Sequence, residues 1–261
     1  MAVNTNIKLV KIDKLKEDIL KFTCEAPEIV AEALPGQFIE VKVTKTMEPF
    51  LRRPISIHNV NKTNNTIEFI FQVRGRGTTF LSEVEEGEML DVIGPLGDSS
   101  FNIEGFKNIA IIGGGIGIFP LYELAKQGME KANVNIYLGF RNKDFIVLEE
   151  EFKKVSSNLI ITTDDGTYGE KGYAIDYLES DIDKLNIDSI FACGPHPMLK
   201  KVQEIAKNKN IPCQISLEER MACAIGACMG CSVKLATGDD TVMYARVCKD
   251  GPVFNSNKVE I

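Results

Sequence analysis

Cys223, Cys228, Cys231 and Cys248 follow one another in the spacing C-x4-C-x2-C-x16-C. Thiolates are soft ligands for iron and zinc. A C-x4-C-x2-C loop with one distant cysteine is the ligand spacing of a plant-type [2Fe-2S] cluster, here with a shorter last gap. A four-thiolate zinc site is the rival chemistry, but its usual signature is two C-x2-C knuckles, and only Cys228 and Cys231 form one. A disulfide framework fits poorly with an odd total of seven cysteines. The opening MAVNTNIKLVK lacks the basic start and apolar run of a secretory leader, so a reducing, cytoplasmic setting is expected. Electron transfer is the chemistry this quartet offers.

A second cluster of chemistry-bearing residues is the run Gly113-Gly114-Gly115-Ile116-Gly117, between the apolar Ile111-Ile112 and Ile118-Phe119-Pro120. Glycines let backbone amides approach a pyrophosphate, and a helix start favours its charge. The run departs from G-x-G-x-x-G because Pro120 takes the last glycine position. Arg141 stands where an acidic residue would bind the ribose of NAD. With Lys143 nearby it leaves room for NADP, against the simpler reading of a solvated loop. Two weaker signals lie upstream. Arg53-Pro54-Ile55-Ser56 puts a guanidinium and a hydroxyl on one strand, and Arg74-Gly75-Arg76-Gly77-Thr78 reads equally as an anion-binding helix start or an ordinary turn.

These residues need scaffolds, and the rest of the chain supplies three. Residues 1–101 alternate apolar and polar in short runs, as in Phe38-Ile39-Glu40-Val41-Lys42-Val43, which predicts an antiparallel β-barrel. Residues 102–217 alternate apolar strands with helices, which predicts βαβ units in a doubly wound parallel sheet. The expected strands are 108–112, 134–140, 159–162, 189–192 and 214–217. The expected helices are 121–128, 148–155, 173–179 and 197–207. Residues 218–261 form a short tail in which a metal centre would have to replace a missing core. At 261 residues and 44% hydrophobic content the chain can bury two cores. A net charge of −7 argues against nucleic acid, no apolar run reaches the roughly 20 residues of a membrane span, and two histidines leave no His-rich metal site.

Taken together, R-P-I-S at 53–56, G-x-G-T at 75–78, GGGIG at 113–117 and Cys193-Gly194-Pro195 resemble the ferredoxin-NADP reductase superfamily over residues 1–217. The tail is more specific. Ser216-Leu217-Glu218-Glu219-Arg220-Met221-Ala222-Cys223, Gly226-Ala227-Cys228-Met229-Gly230-Cys231 and Val247-Cys248-Lys249-Asp250-Gly251-Pro252-Val253-Phe254 resemble the electron-transfer subunit of class 1B dihydroorotate dehydrogenase. That resemblance implies FAD at Arg53, Pro54, Ile55, Ser56, Ile70, Phe71, Gln72, Gly77 and Thr78. It implies NAD at Gly113, Gly114, Gly115, Ile116, Gly117, Cys193, Gly194 and Pro195, and a [2Fe-2S] cluster on Cys223, Cys228, Cys231 and Cys248. It implies no general acid or base here, because dihydroorotate is oxidised on a partner FMN subunit, in a heterotetramer of two of each chain. Cys193 becomes a nucleotide-site residue, and Cys24 and Cys213 are expected as buried thiols. Two departures from the family are visible: Ile55 replaces a common aromatic, and Ala224 replaces a common glycine. The other functions kept open are the small subunit of a bifurcating NADH-dependent ferredoxin:NADP oxidoreductase, a hydrogenase diaphorase subunit, and a non-redox module stapled by zinc.

Overall fold

A computed structural model of the chain describes residues 2–44, 48–238 and 241–261. It divides into two compact units, and the tail is shared between them.

The first unit is built on six strands: β1 (Val3–Lys16), β2 (Ile19–Glu25), β3 (Phe38–Val41), β4 (Arg53–Asn61), β5 (Thr66–Gln72) and β6 (Met89–Leu96). They close into a barrel in the order β1-β2-β5-β4-β3-β6. Closure comes from antiparallel pairing of β1 with β6, from Val3 opposite Gly94 to Lys8 opposite Met89. The sequence alternation explains the inside: Ile7, Leu9, Phe22, Ile39, Val41, Ile55, Ile57, Ile67, Phe69, Phe71 and Val92 all enter one apolar core. Phe22 anchors it, with ring centroids 5.5 Å from Phe69 and 5.1 Å from Phe71. Each such side chain removed from water contributes about 1.5–3 kcal/mol. Two short helices, α1 (Pro27–Glu32) and α2 (Arg76–Ser82), add Ile29, Val30 and Leu81 to that core.

The second unit holds β7 (Asn108–Gly114), β8 (Asn133–Phe140), β9 (Asn158–Thr163), β10 (Glu170–Lys171), β11 (Ser189–Cys193) and β12 (Cys213–Ser216), with helices α3 (Leu121–Gly128), α4 (Glu149–Lys154), α5 (Ala174–Asp181) and α6 (His196–Lys209) between them. These match the expected elements to within one or two residues at most ends. The strands run parallel in the order β10-β9-β8-β7-β11-β12. From β7 the chain winds to one side through β8 and β9, then returns to β11 on the other side. The switch point therefore falls between β7 and β11, where open α/β sheets place ligands at the strands' carboxyl ends.

The glycine run does not open a helix directly, as the sequence reading expects. Strand β7 ends at Gly114, a 3₁₀ turn occupies Gly115–Ile118, and α3 starts at Leu121 behind Pro120.

Residues 218–261 divide between the two units. Residues 218–232 and 245–252 group with the barrel, while 233–244 and 253–261 group with the sheet unit. Strands β13 (Ser232–Leu235) and β14 (Met243–Arg246) pair with each other. Strand β15 (Val253–Asn255) adds an antiparallel edge to β12, with Ser216 opposite Val253 and Gln214 opposite Asn255. The Gln203 side-chain amide donates to the carbonyls of Ser256 and Val259 and holds this end in place. Forty-odd residues bury too little surface for a core of their own, so the tail borrows from both units.

Candidate cofactor and cluster sites

On the barrel, strand alternation decides which residues a ligand can meet. Ile55 and Phe71 point into the apolar core, 7% and 5% exposed, so they offer a ligand main chain only. Pro54, Ser56, Ile70 and Gln72 lie on the opposite, outer face. Arg53 is fixed by its neighbourhood: its Nη1 donates to the carbonyls of Leu51 at 2.6 Å and Arg52 at 3.2 Å. Its guanidinium also lies against Gly77, where a Cβ would collide with Nε and stand 2.5 Å from Cζ. Among the described residues no carboxylate is within ion-pair distance of Arg53, so its charge is open to an anion. Thr78 is committed locally. Its hydroxyl accepts from the amides of Arg74 at 2.9 Å and Gly75 at 3.1 Å, closing the turn before α2. Gln72 gives one amide proton to Asp18 at 2.5 Å, while its buried Oε1 has no protein partner and can accept from a ligand. An unpaired cation, a side-chain-free approach at Gly77 and an orphan acceptor fit a flavin dinucleotide.

In the sheet unit, β7 and β11 are paired with Cys193 opposite Gly113, so the two sequence motifs meet at one place. Gly117 packs on the other loop's main chain: a Cβ there would stand 2.6 Å from Gly194 Cα and 2.8 Å from the Cys193 carbonyl oxygen. At Gly114 a Cβ would meet Pro195 Cδ at 2.8 Å and Met198 Sδ at 3.0 Å. The seam packs main chain on main chain at Gly117, while a Cβ at Gly115 would meet nothing within 4 Å, so the switch point keeps an open backbone approach that fits a nucleotide. Ile116 lies in the 3₁₀ turn, and Gly115 is left-handed at φ +55°. Arg141 follows β8 and rests its guanidinium 5.5 Å from the Phe145 ring centroid. That contact occupies it as a loop residue would be.

All four tail cysteines belong to the first unit. Main-chain donors link them two and two, Cys228 to Cys223 and Cys248 to Cys231. Main-chain donors support each pair: Cys228 N to Cys223 Sγ at 3.3 Å, Gly230 N to Cys228 Sγ at 3.5 Å, and Cys248 N to Cys231 Sγ at 3.4 Å. Partial burial opposes ionisation of Cys223, but the amides of Cys228, Ile225 and Ala227 prevail and draw its thiol down to about 6. Burial first, then the adjoining Cys231, pushes Cys248 up to about 12. Among the described residues no three metal-binding side chains converge as one ion would require. A single tetrahedral zinc needs four sulfurs around one point. A two-iron cluster takes two ligands per iron, which the paired main-chain bonds at Cys223/Cys228 and Cys231/Cys248 fit. The remaining cysteines stand apart. Burial holds the Cys24 and Cys213 thiols up at about 12, and Cys193 is buried at the nucleotide seam.

Three features escape the sequence reading. Met198 fills the space between Gly114 and Gly194; its only signal is its place three residues after Pro195. Glu40, on β3 opposite Pro54, is 2% exposed with neither carboxylate oxygen hydrogen-bonded. Burial raises its carboxyl to about 7 against the opposing pull of Arg52 and Arg53, with Cys223 pushing the same way as burial. Arg246 and Asp250 form a two-toothed ion pair beside the cysteines, with Nε to Oδ2 at 2.9 Å and Nη2 to Oδ1 at 2.8 Å.

Comparison with known proteins bears on all three sites. The model of the oxidoreductase FAD-binding domain matches residues 6–101, and that of the oxidoreductase NAD-binding domain matches 111–204. The model of the iron-sulfur cluster binding domain of dihydroorotate dehydrogenase B matches 218–260. The dihydroorotate dehydrogenase B (NAD(+)) electron transfer subunit of Caldanaerobacter subterraneus subsp. tengcongensis is 42% identical over 86% of both chains. The chain belongs to the dihydroorotate dehydrogenase B electron transfer subunit family. The family member of Lysinibacillus sphaericus is 38% identical over the full length of both proteins. Among solved structures, a chain of the NADH-dependent reduced ferredoxin-NADP oxidoreductase, described for flavin-based electron bifurcation, has a TM-score of 0.85 and 31% identity. It is covered over 91% of its length by the whole of this chain. This member of the family thus has the ferredoxin-NADP reductase fold with FAD-binding, NAD-binding and iron-sulfur domains.

Proposed function

We propose that this chain is the NAD-dependent electron-transfer subunit of a dihydroorotate dehydrogenase complex in pyrimidine biosynthesis. It would pass electrons between NAD and a partner FMN subunit that oxidises dihydroorotate to orotate. The observation that carries the reading is the main-chain linkage of Cys223 with Cys228 and of Cys231 with Cys248, inside the segment matched as a dihydroorotate dehydrogenase B iron-sulfur domain. Bound FAD supplies two-electron exchange with nicotinamide, and the cluster supplies single-electron transfer.

The chain's own residues bind and orient. Arg53 meets the flavin pyrophosphate, with Gly77 giving it room and the amides of Gly77 and Thr78 closing over it. Ser56 and Gln72 offer a hydroxyl and an acceptor to the ring system, Pro54 and Ile70 an apolar floor, and Ile55 and Phe71 main-chain groups. Gly113 to Gly117, with Cys193, Gly194 and Pro195, line the nicotinamide nucleotide. No residue of this chain acts as acid or base on dihydroorotate; that site lies on the partner. Two copies of each chain form the working assembly. The seven free cysteines suit a cytoplasmic protein, and no helix among the described residues is long and apolar enough to cross a membrane.

NADH added anaerobically to the reconstituted chain should bleach both flavin and cluster absorbance, and an unchanged spectrum would sink the reading. A second reading, the small subunit of a bifurcating NAD(P)H reductase, draws on the likeness to the ferredoxin-NADP oxidoreductase chain. Native co-purification separates them: a dihydroorotate-oxidising FMN partner supports the first, and a ferredoxin-reducing partner the second.

A further inference from the structure

The four thiols come from two stretches of chain, a loop carrying Cys223, Cys228 and Cys231 and a turn carrying Cys248. One side chain spans both. The guanidinium of Arg246 gives Nε and Nη2 to the two carboxylate oxygens of Asp250, and its third nitrogen, Nη1, to the Gly226 carbonyl at 2.9 Å. Gly226 stands in the middle of the C-x4-C loop. Asp250 is itself tied back, accepting the Arg246 main-chain amide at 2.8 Å. The Arg246 carbonyl in turn accepts the amides of Lys249, Asp250 and Gly251 at 3.1, 2.8 and 3.2 Å, which winds the turn that presents Cys248. The loop is shaped to receive this group: Gly226 has φ +82°, and a Cβ there would press on Arg246 Nη1 at 3.1 Å and on Lys249 Cβ at 2.9 Å.

An exposed ion pair is ordinarily worth little. This one differs in three ways. It is bidentate, it carries a third bond to the main chain of the loop that holds three of the cysteines, and its cation stands two residues before Cys248, the fourth. Supporting groups around metal ligands fix their orientation and tune the metal.

We propose that Arg246, braced by Asp250, is the positioning residue of the cluster cage: it locks the Cys248 turn to the three-cysteine loop and sets positive charge between the two. This rests on the ligand assignment given above. Besides the strut, the Val247 amide bond to the Cys231 carbonyl and the Cys248 amide bond to the Cys231 sulfur also join the two stretches at the cage.

The test uses the full chain, purified anaerobically with FAD and cluster, as Arg246→Gln, Asp250→Asn and the ligand control Cys248→Ser. Both strut variants should release iron to a chelator about 10–100-fold faster than the parent, the range for lost supporting partners. Their cluster potentials should move oppositely. Losing the cation lowers the potential, and losing the anion raises it; each tenfold change in the oxidised-to-reduced ratio corresponds to about 59 mV for one electron. A purely structural role would speed release without opposite shifts. Parent-like release, or shifts of the same sign, overturns the proposal while the ligand assignment stands. A Cys248→Ser chain with an unchanged cluster spectrum removes the assignment and the proposal together. If Arg246→Gln fails to fold, shown by loss of bound flavin, Asp250→Asn decides alone.

Discussion

At the ends of β7 and β11 the proposed nucleotide seam is lined by backbone, with Gly113, Gly114, Gly115, Gly117 and Gly194 withholding side chains. The cage at Cys223, Cys228, Cys231 and Cys248 is made of four side chains that main-chain donors support. The seam works by what is absent, so an atom added at Gly113, Gly114, Gly117 or Gly194 intrudes. On the ligand assignment proposed above, the cage works by what is present, so its four sulfurs should be indispensable while the loop residues between them vary where the backbone allows. Tolerance to substitution should therefore be inverted between the two regions.

The largest effect belongs to the cage. Cys231→Ser should leave FAD bound and abolish the normal cluster, read as loss of its visible absorbance and paramagnetic signal; a retained signal would make the cage tolerant and break the contrast. Next comes the seam. In Gly117→Ala the new methyl meets Gly194 Cα at 2.6 Å and the Cys193 carbonyl oxygen at 2.8 Å, backbone that cannot step aside. Overpacking of this kind costs about 1–3 kcal/mol, so NADH affinity should fall by roughly ten- to a hundredfold with cluster content unchanged, measurable by titrating the flavin spectrum.

Glu40 sharpens the contrast by pH. Its carboxyl is raised to about 7, so the folded state disfavours the ionised form. Stability from this group is intact below the ordinary carboxylate range and is lost as pH rises through 7. Glu40→Gln should remove that loss, stabilising the cofactor-loaded chain by about 1 kcal/mol at pH 5.5 and about 3 kcal/mol above pH 7.5, read from denaturant midpoints. A gain that shrinks as pH rises would refute the burial argument. The smallest effect is expected inside the cage loop. Ala224 holds φ +54°, a left-handed conformation costing an L-residue about 1–2 kcal/mol. Ala224→Gly relieves it but frees the unfolded chain, so the net gain should stay under about 1 kcal/mol.

Much of this was legible in the sequence, for identifiable reasons. Parallel strands such as β7 and β11 are buried on both faces and read as apolar runs, and cysteine spacing survives any fold built around it. Glu40 was not legible. Alternation in Phe38-Ile39-Glu40-Val41 separates the inner face of a strand from the outer, but does not say whether the outer face is covered. Ile55 shows the same limit from the other side: its family position suggests a ligand contact, while the barrel core claims its side chain. The Arg246–Asp250 pair looks in sequence like any i, i+4 surface pair, and only the third bond to Gly226 sets it apart. Where the tail's pieces attach depends on long-range pairing, such as β15 on β12, that local pattern does not encode.

The chain changes unit after residues 100, 217, 232, 244 and 252. For protein engineering that makes the iron-sulfur segment a stitched seam instead of a detachable cassette. Cutting at Glu218 to obtain a cluster-free flavin reductase would strip β15 from β12 and leave a naked sheet edge, a standing invitation to aggregate. A cluster-free version is better reached by changing cysteines one at a time, and grafting the cage onto another reductase would require transplanting the return strand with it.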